Sequence, residues 1–159
     1  MSFVPEVTVL GLGEGRVIHV PGHPVTFKVT AEGTGGAYCL FESVIPGNGP
    51  TQHIHKTEEE AFYILGGEVN ILVGEQIVSG TTGSFVLILR GTVHTFWNTG
   101  PTPAKLLVIF SPPGFEQVFT EVWGDLGEDA EELDHATYVQ RLKAVSEKDN
   151  QEIVGPPLG

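Results

Sequence analysis

The stretch that decides the fold reads Gly47-Asn48-Gly49-Pro50-Thr51-Gln52-His53-Ile54-His55-Lys56-Thr57-Glu58-Glu59-Glu60-Ala61-Phe62-Tyr63-Ile64-Leu65-Gly66-Gly67. In an extended strand, side chains two apart project to one face, so His53 and His55 stand side by side while Ile54 turns away. Glu60 then heads a second alternating run in which Glu60, Phe62 and Ile64 share one face and Ala61, Tyr63 and Leu65 the other. A carboxylate can therefore meet the two imidazoles across the intervening turn. Farther on, His94, Phe96 and Asn98 share a face of another short apolar run, and a third imidazole can arrive from a neighbouring strand. Three neutral imidazoles and one carboxylate suit a single divalent transition metal: iron, manganese, nickel, cobalt or zinc.

Working outward, short segments of strand character fill residues 1–111, and glycine punctuates them. The candidates are residues 16–20, 25–30, 37–45, 51–55, 61–65, 69–73, 84–89, 94–98 and 105–110. Gly66-Gly67, Gly74-Glu75, Gly80 to Gly83 and Gly91 separate them at close intervals, which predicts a sandwich or closed barrel rather than alternating strands and helices. After Pro112-Pro113-Gly114 the period changes. Phe115, Val118, Phe119 and Val122 recur at helical spacing, as do Tyr138, Leu142 and Val145 after Asp134, a suitable N-cap. Two helices are expected outside the barrel, and residues 153–159, interrupted by Pro156 and Pro157, are expected to form a loose or docked end.

The spacing also resembles a known family. Gly47, five residues, His53-Ile54-His55, four residues, Glu60, six residues and Gly67 match the first motif of the cupins at every position. Gly83, five residues, Leu89, then Gly91, two residues, His94, three residues and Asn98 match the second, except that Leu89 stands where the family usually has proline. Fifteen residues separate Gly67 from Gly83, a spacing similar to that of compact bacterial cupins. Looser similarity through residues 27–42 and 111–116 resembles the small quercetin 2,3-dioxygenase-like cupins. The resemblance implies an all-β, jelly-roll-like barrel over about residues 16–111. A short helical extension over about 115–150 completes a single domain of 1–159. It also implies metal ligation by His53, His55, Glu60 and His94. A one-residue slip to Glu59, or a merely solvated acidic turn, is the alternative for the glutamate; the six residues to Gly67 favour Glu60.

The implied activity is oxygen-dependent cleavage of a small phenolic or enolisable substrate, with Glu60 acting as both ligand and proton acceptor. The rivals are metal-assisted decarboxylation or isomerisation without oxygen, and a non-catalytic barrel that binds a small metabolite. Phe62, Phe96 and Phe110 sit at alternating positions that serve the core, and they are the candidates for lining a substrate pocket. Asn98 is expected to hold a turn, and Trp97 to pack beneath a helix. His19, His23 and His135 lack partners at ligand spacing and read as ordinary surface or satisfied histidines.

Composition narrows the partners. A net charge of −12 without a Lys/Arg cluster repels phosphate backbones and anionic lipids, so neither nucleic acid nor membrane is expected. Residues 116–152 carry eleven acidic against three basic side chains, read as a solvated helical face. A lone cysteine, Cys39, lies in an apolar run and is expected to be a buried, inert thiol; it points to a reducing, cytoplasmic setting. Residues 1–3 open no basic-then-apolar leader, and no apolar stretch reaches the roughly 20 residues of a membrane span. The family resemblance, together with barrel edges that need cover, points to a homodimer.

Overall fold

Alternating apolar residues bury one face of each strand and build two antiparallel sheets. The computed structural model describes residues 6–159; residues 1–3, which are expected to open no leader, lie outside them. The strands are β1 (Arg16–Ile18), β2 (Val25–Val29), β3 (Cys39–Ile45), β4 (Gln52–His55), β5 (Glu59–Gly66) and β6 (Glu68–Val73). They continue with β7 (Gln76–Thr81), β8 (Phe85–Ile88), β9 (His94–Trp97), β10 (Ala104–Ser111) and β11 (Gln151–Gly155). A short helix α1 (Ala31–Thr34) follows β2; α2 (Phe115–Trp123), a 3₁₀ turn (Gly127–Glu132) and α3 (His135–Asp149) follow β10. One sheet runs β1-β2-β3-β10-β5-β8 and the other β11-β4-β9-β6-β7. Facing each other, they form the jelly-roll barrel expected from the sequence.

The core lies between the sheets. β3 alternates buried and half-buried along its whole length, and Ile45, Phe62, Ile64, Ile71 and Leu106 are fully buried. Each such side chain contributes about 1.5–3 kcal/mol of burial. Gly67 closes the turn between β5 and β6 with φ 75°, and a Cβ there would stand 2.8 Å from Ala104 Cα, so the position requires glycine. Asn98 holds the turn after β9: its Nδ2 donates to Ile45 O (3.0 Å) and Thr102 O (2.7 Å), and its Oδ1 accepts from Gly100 N (2.7 Å). Leu89 takes the proline position without disturbing the corner, since Thr92 N still donates to Leu89 O at 3.2 Å.

Several sequence expectations are corrected. Residues 76–81 form β7, a strand that the spacing of glycines does not predict. Of the two ends expected for the tail, loose or docked, the structure shows the docked one: Gln151–Gly155 pairs with β4, placing Gln151 opposite His55 and Ile153 opposite His53. Trp97 packs against the C-terminal residue, where a Cβ on Gly159 would meet its Cδ1 at 2.6 Å. α2 does not simply flank the barrel. Its Phe115 stacks on Phe110 (4.6 Å between centroids) and its Phe119 meets Phe41 edge-on (5.6 Å), closing the space between the sheets.

Asp134 caps α3 as expected, accepting from Thr137 N at 3.0 Å. The acidic segment is only partly a solvated face. Asp125 pairs with Arg141 at 2.9 Å and Glu121 with Lys148, while Glu116 and Asp149 are buried. Glu116 accepts from Ala31 N (2.8 Å) and Gly114 N (2.7 Å), tying α1 to the start of α2. Cys39 is buried in β3, and burial, with the Glu116 carboxylate beside it, pushes its thiol far above the usual range. Among the described residues, no helix is long and apolar enough to cross a membrane.

Candidate metal centre

Strand pairing assembles the centre. β4 carries His53 and His55, and its neighbour β9 sets His94 directly opposite His53. β5, in the facing sheet, supplies Glu60, paired with Phe110 on one side and Ile88 on the other. Imidazoles thus come from one sheet and the carboxylate from the other. The four donor atoms all lie within 4.8 Å of one another, and all four residues are buried. The imidazole centroids of His53 and His94 are 4.2 Å apart, and those of His53 and His55 are 4.9 Å apart.

Glu60 Oε2 stands 2.8 Å from His94 Nε2 and 3.3 Å from His55 Nε2. Glu59 occupies the half-buried outer face and faces Arg90 at 3.3 Å, so the geometry resolves the register in favour of Glu60. His53 Nδ1 donates to Thr51 O (2.6 Å) and His94 Nδ1 to Thr92 O (2.9 Å). A carbonyl can only accept, so both rings carry their proton on Nδ1 and turn the Nε2 lone pair into the cluster. Two lone pairs, on His94 Nε2 and Glu60 Oε2, can approach to 2.8 Å only with a proton or a cation between them. His55 Nε2 is buried with no hydrogen-bond partner. One divalent ion would satisfy all four groups together, so the residues fit a metal.

Electrostatics agree. Burial favours neutral His53, and the neighbouring His94 and His55 push the same way, so its pKa lies well below the ordinary imidazole value. Burial works against charge on His55, but the carboxylates of Asp149 and Glu60 prevail and raise it to about 9. Burial likewise disfavours the Glu60 anion, yet His55 and His94 hold it far below the carboxylate range.

A pH dependence follows from His55. A group whose folded pKa is raised adds stability that is complete below its unfolded value, near 6.5, and is lost as pH rises through about 9. Metal-free protein is therefore expected to melt several degrees higher at about pH 7 than at about pH 9.5. Metal-loaded protein should lack this gain, because a metal would occupy His55 Nε2, and should lose metal below about pH 6 as the imidazoles protonate. Melting series with and without chelator check both slopes; identical slopes would contradict the ligand assignment.

A cavity of about 50 Å³ opens beside the cluster. Phe96 and Phe110, expected as pocket residues, line it; Phe62 does not, packing instead behind Phe96 at 5.1 Å. Phe115 and Phe119 from α2 complete the apolar wall. Two polar liners were not singled out in the sequence. His23, expected as an ordinary surface or satisfied histidine, enters from the loop before β2 to face Phe96 (6.4 Å), and burial lowers its pKa to about 4. Ser43 Oγ is buried without a partner. Ser43 did carry a signal, being a lone polar residue at an inward position of Cys39, Phe41, Ser43 and Ile45; His23, between Pro21-Gly22 and Pro24, carries none. Behind the cluster, Glu58 and Asp149 converge on His55 Nδ1, and burial, with Asp149 beside it, raises Glu58 to about 7.

The profile of the family described as Cupin domain matches residues 40–110. The uncharacterized protein MJ1618 of Methanocaldococcus jannaschii is 30% identical over 101 residues, spanning 63% of this chain and 76% of that protein. Among solved structures, KdgF from Halomonas sp. superposes with a TM-score of 0.62 at 14% identity, covering 70% of this chain and 99% of that one. Pac13 of Streptomyces, described as a nucleoside dehydratase, does so with a TM-score of 0.56 at 9% identity, covering 67% and 83%. These structural likenesses show the fold alone.

Proposed function

Because the chain belongs to the cupin family, we propose that it is a metal-dependent enzyme, a dioxygenase acting on a small phenolic or enolisable molecule. The observation that carries this reading is the buried cluster of His53, His55, Glu60 and His94 beside an apolar cavity. A bound ion would supply Lewis acidity and, if redox-active, a means of using oxygen. The chain's own groups do the rest. Phe96, Phe110, Phe115 and Phe119 exclude water and strengthen electrostatic interactions inside. Ser43 Oγ, unpaired, can donate to a substrate oxygen. Glu60 would act as both ligand and acceptor of the substrate proton.

The cavity, about 50 Å³, sets the size class. It suits a compact enol or carboxylic acid, whereas a flavonol would require α2 to swing off the opening. That limit also favours a second reading, oxygen-independent decarboxylation or isomerisation of a compact acid by the same site. A homodimer is proposed as well, supported by the outward face of β5 and β8, where Tyr63, Phe85 and Leu87 are exposed together. Cytoplasmic residence is proposed on the single buried cysteine.

An oxygen electrode tests the main reading, using iron-loaded protein with a small 1,3-diketone and a simple phenol. Oxygen and substrate consumed in equal amounts would support it. Product formed without oxygen would favour the second reading, and binding by metal-free protein without turnover would favour a non-catalytic barrel.

A further inference from the structure

We infer that Asp149 is the positioning residue for His55, so that the C-terminal helix and strand complete a metal centre whose four donors all lie in the barrel. The inference rests on the metal-binding reading and extends it to a residue outside both sequence motifs.

The three imidazoles are not held alike. His53 and His94 are oriented by carbonyls of their own strands or adjoining loops, Thr51 O and Thr92 O. His55 has no such carbonyl. Its Nδ1 faces Asp149 Oδ2 at 3.5 Å, with Glu58 Oε2 at 4.0 Å, and all three atoms are buried without a hydrogen-bond partner. For His55 Nε2 to ligate, the ring proton must sit on Nδ1, and a carboxylate is the group that holds it there. A small contraction of the 3.5 Å approach makes this a charge-assisted hydrogen bond.

The placement of Asp149 serves no purpose for the helix. It is the last residue of α3, where the carbonyl end of the helix disfavours an anion, and it abuts a second buried carboxylate. Backbone pairing fixes it in place nonetheless. Asn150, at φ 50°, turns the chain directly into β11, and Gln151 pairs with His55 itself. The strand that carries the ligand thus also anchors the turn that delivers its orienting group. A positioning role shows in the metal itself, as a change in affinity and ligand field that the conservative amide partly restores. Removing Asp149 takes away the carboxylate that faces His55 Nδ1, which should weaken the hold on metal.

The test uses full-length protein, cobalt(II) as probe, and the variants Asp149→Ala and Asp149→Asn. Asp149→Ala should raise the cobalt Kd by about 10–100-fold. Asp149→Asn, which keeps an acceptor oxygen but loses the charge, should recover part of that loss and shift the visible cobalt bands. Wild-type cobalt affinity in Asp149→Ala, or an Asp149→Asn variant that recovers nothing and shows the same bands as Asp149→Ala, would overturn the inference. So would two tightly bound cobalt ions per chain, which would make the Glu58, Asp149 and His55 group a second ion site. Failure of the wild type to bind cobalt would overturn this inference and the proposed function together; unchanged affinity in the variants would overturn this inference alone.

Discussion

His94→Ala protein is expected to retain less than about a tenth of the wild-type metal and to lose the metal-dependent part of its thermal stability. His94 is fully buried, stands opposite His53 in the β4–β9 pair, and makes the shortest approach to Glu60 at 2.8 Å. Without it, the cluster keeps two imidazoles and a carboxylate, and the vacated space admits water in place of a strong donor. An ion bound only by the folded chain stabilises it by about 2.7 kcal/mol at a hundredfold excess over Kd. For a domain of this size, that is roughly 5–10 °C. His53→Ala and His55→Ala should behave similarly. His135→Ala, altering an exposed residue at the start of α3, should keep both metal and melting temperature. Elemental analysis after purification without an affinity tag, paired with melting curves, checks this; undiminished metal in His94→Ala would remove the ligand assignment.

Glu60→Gln separates binding from chemistry. The amide keeps the size of the side chain and one oxygen donor but cannot accept a proton, so the variant should retain a substantial fraction of its metal and still bind a substrate analogue. Turnover should drop by about 10²–10⁴, the usual contribution of a positioned general base. Glu59→Gln is the matched control, because Glu59 lies on the outer face opposite Arg90. Steady-state rates normalised to bound metal give the comparison. Near wild-type turnover in metal-loaded Glu60→Gln would make Glu60 a spectator ligand.

The legible part of this chain is the part where local periodicity and tertiary position coincide. His53, His55 and Glu60 fall on inward positions of strands whose apolar residues alternate, so the face that each side chain occupies can be read without knowing the topology. β7 was not legible because nearly all of it is exposed, and its one buried position is Gly80, which reads as punctuation. β11 alternates half-buried with exposed and contributes mainly backbone hydrogen bonds, which leave no hydrophobic trace. Asp149 and His23 are a harder case. Each reaches the centre through a long-range docking, α3 and β11 onto β4 for one and a proline-flanked loop for the other, and no local pattern encodes which distant strand a loop or helix end will meet.

Cys39 offers a way to time the motions of this barrel. It sits in β3, opposite Phe110 of β10, in the interior of the six-stranded sheet. The thiol has no path to solvent and is held protonated by burial and Glu116. While the sheet is closed, a maleimide at neutral pH therefore finds no thiol to attack, since Cys39 is the one cysteine of the sequence. The rate at which a maleimide eventually attaches then counts how often β3 parts from its neighbours. A single mass shift per molecule turns that rare event into a clock, one whose slowing on addition of metal would measure directly how far occupancy of the centre restrains the six-stranded sheet.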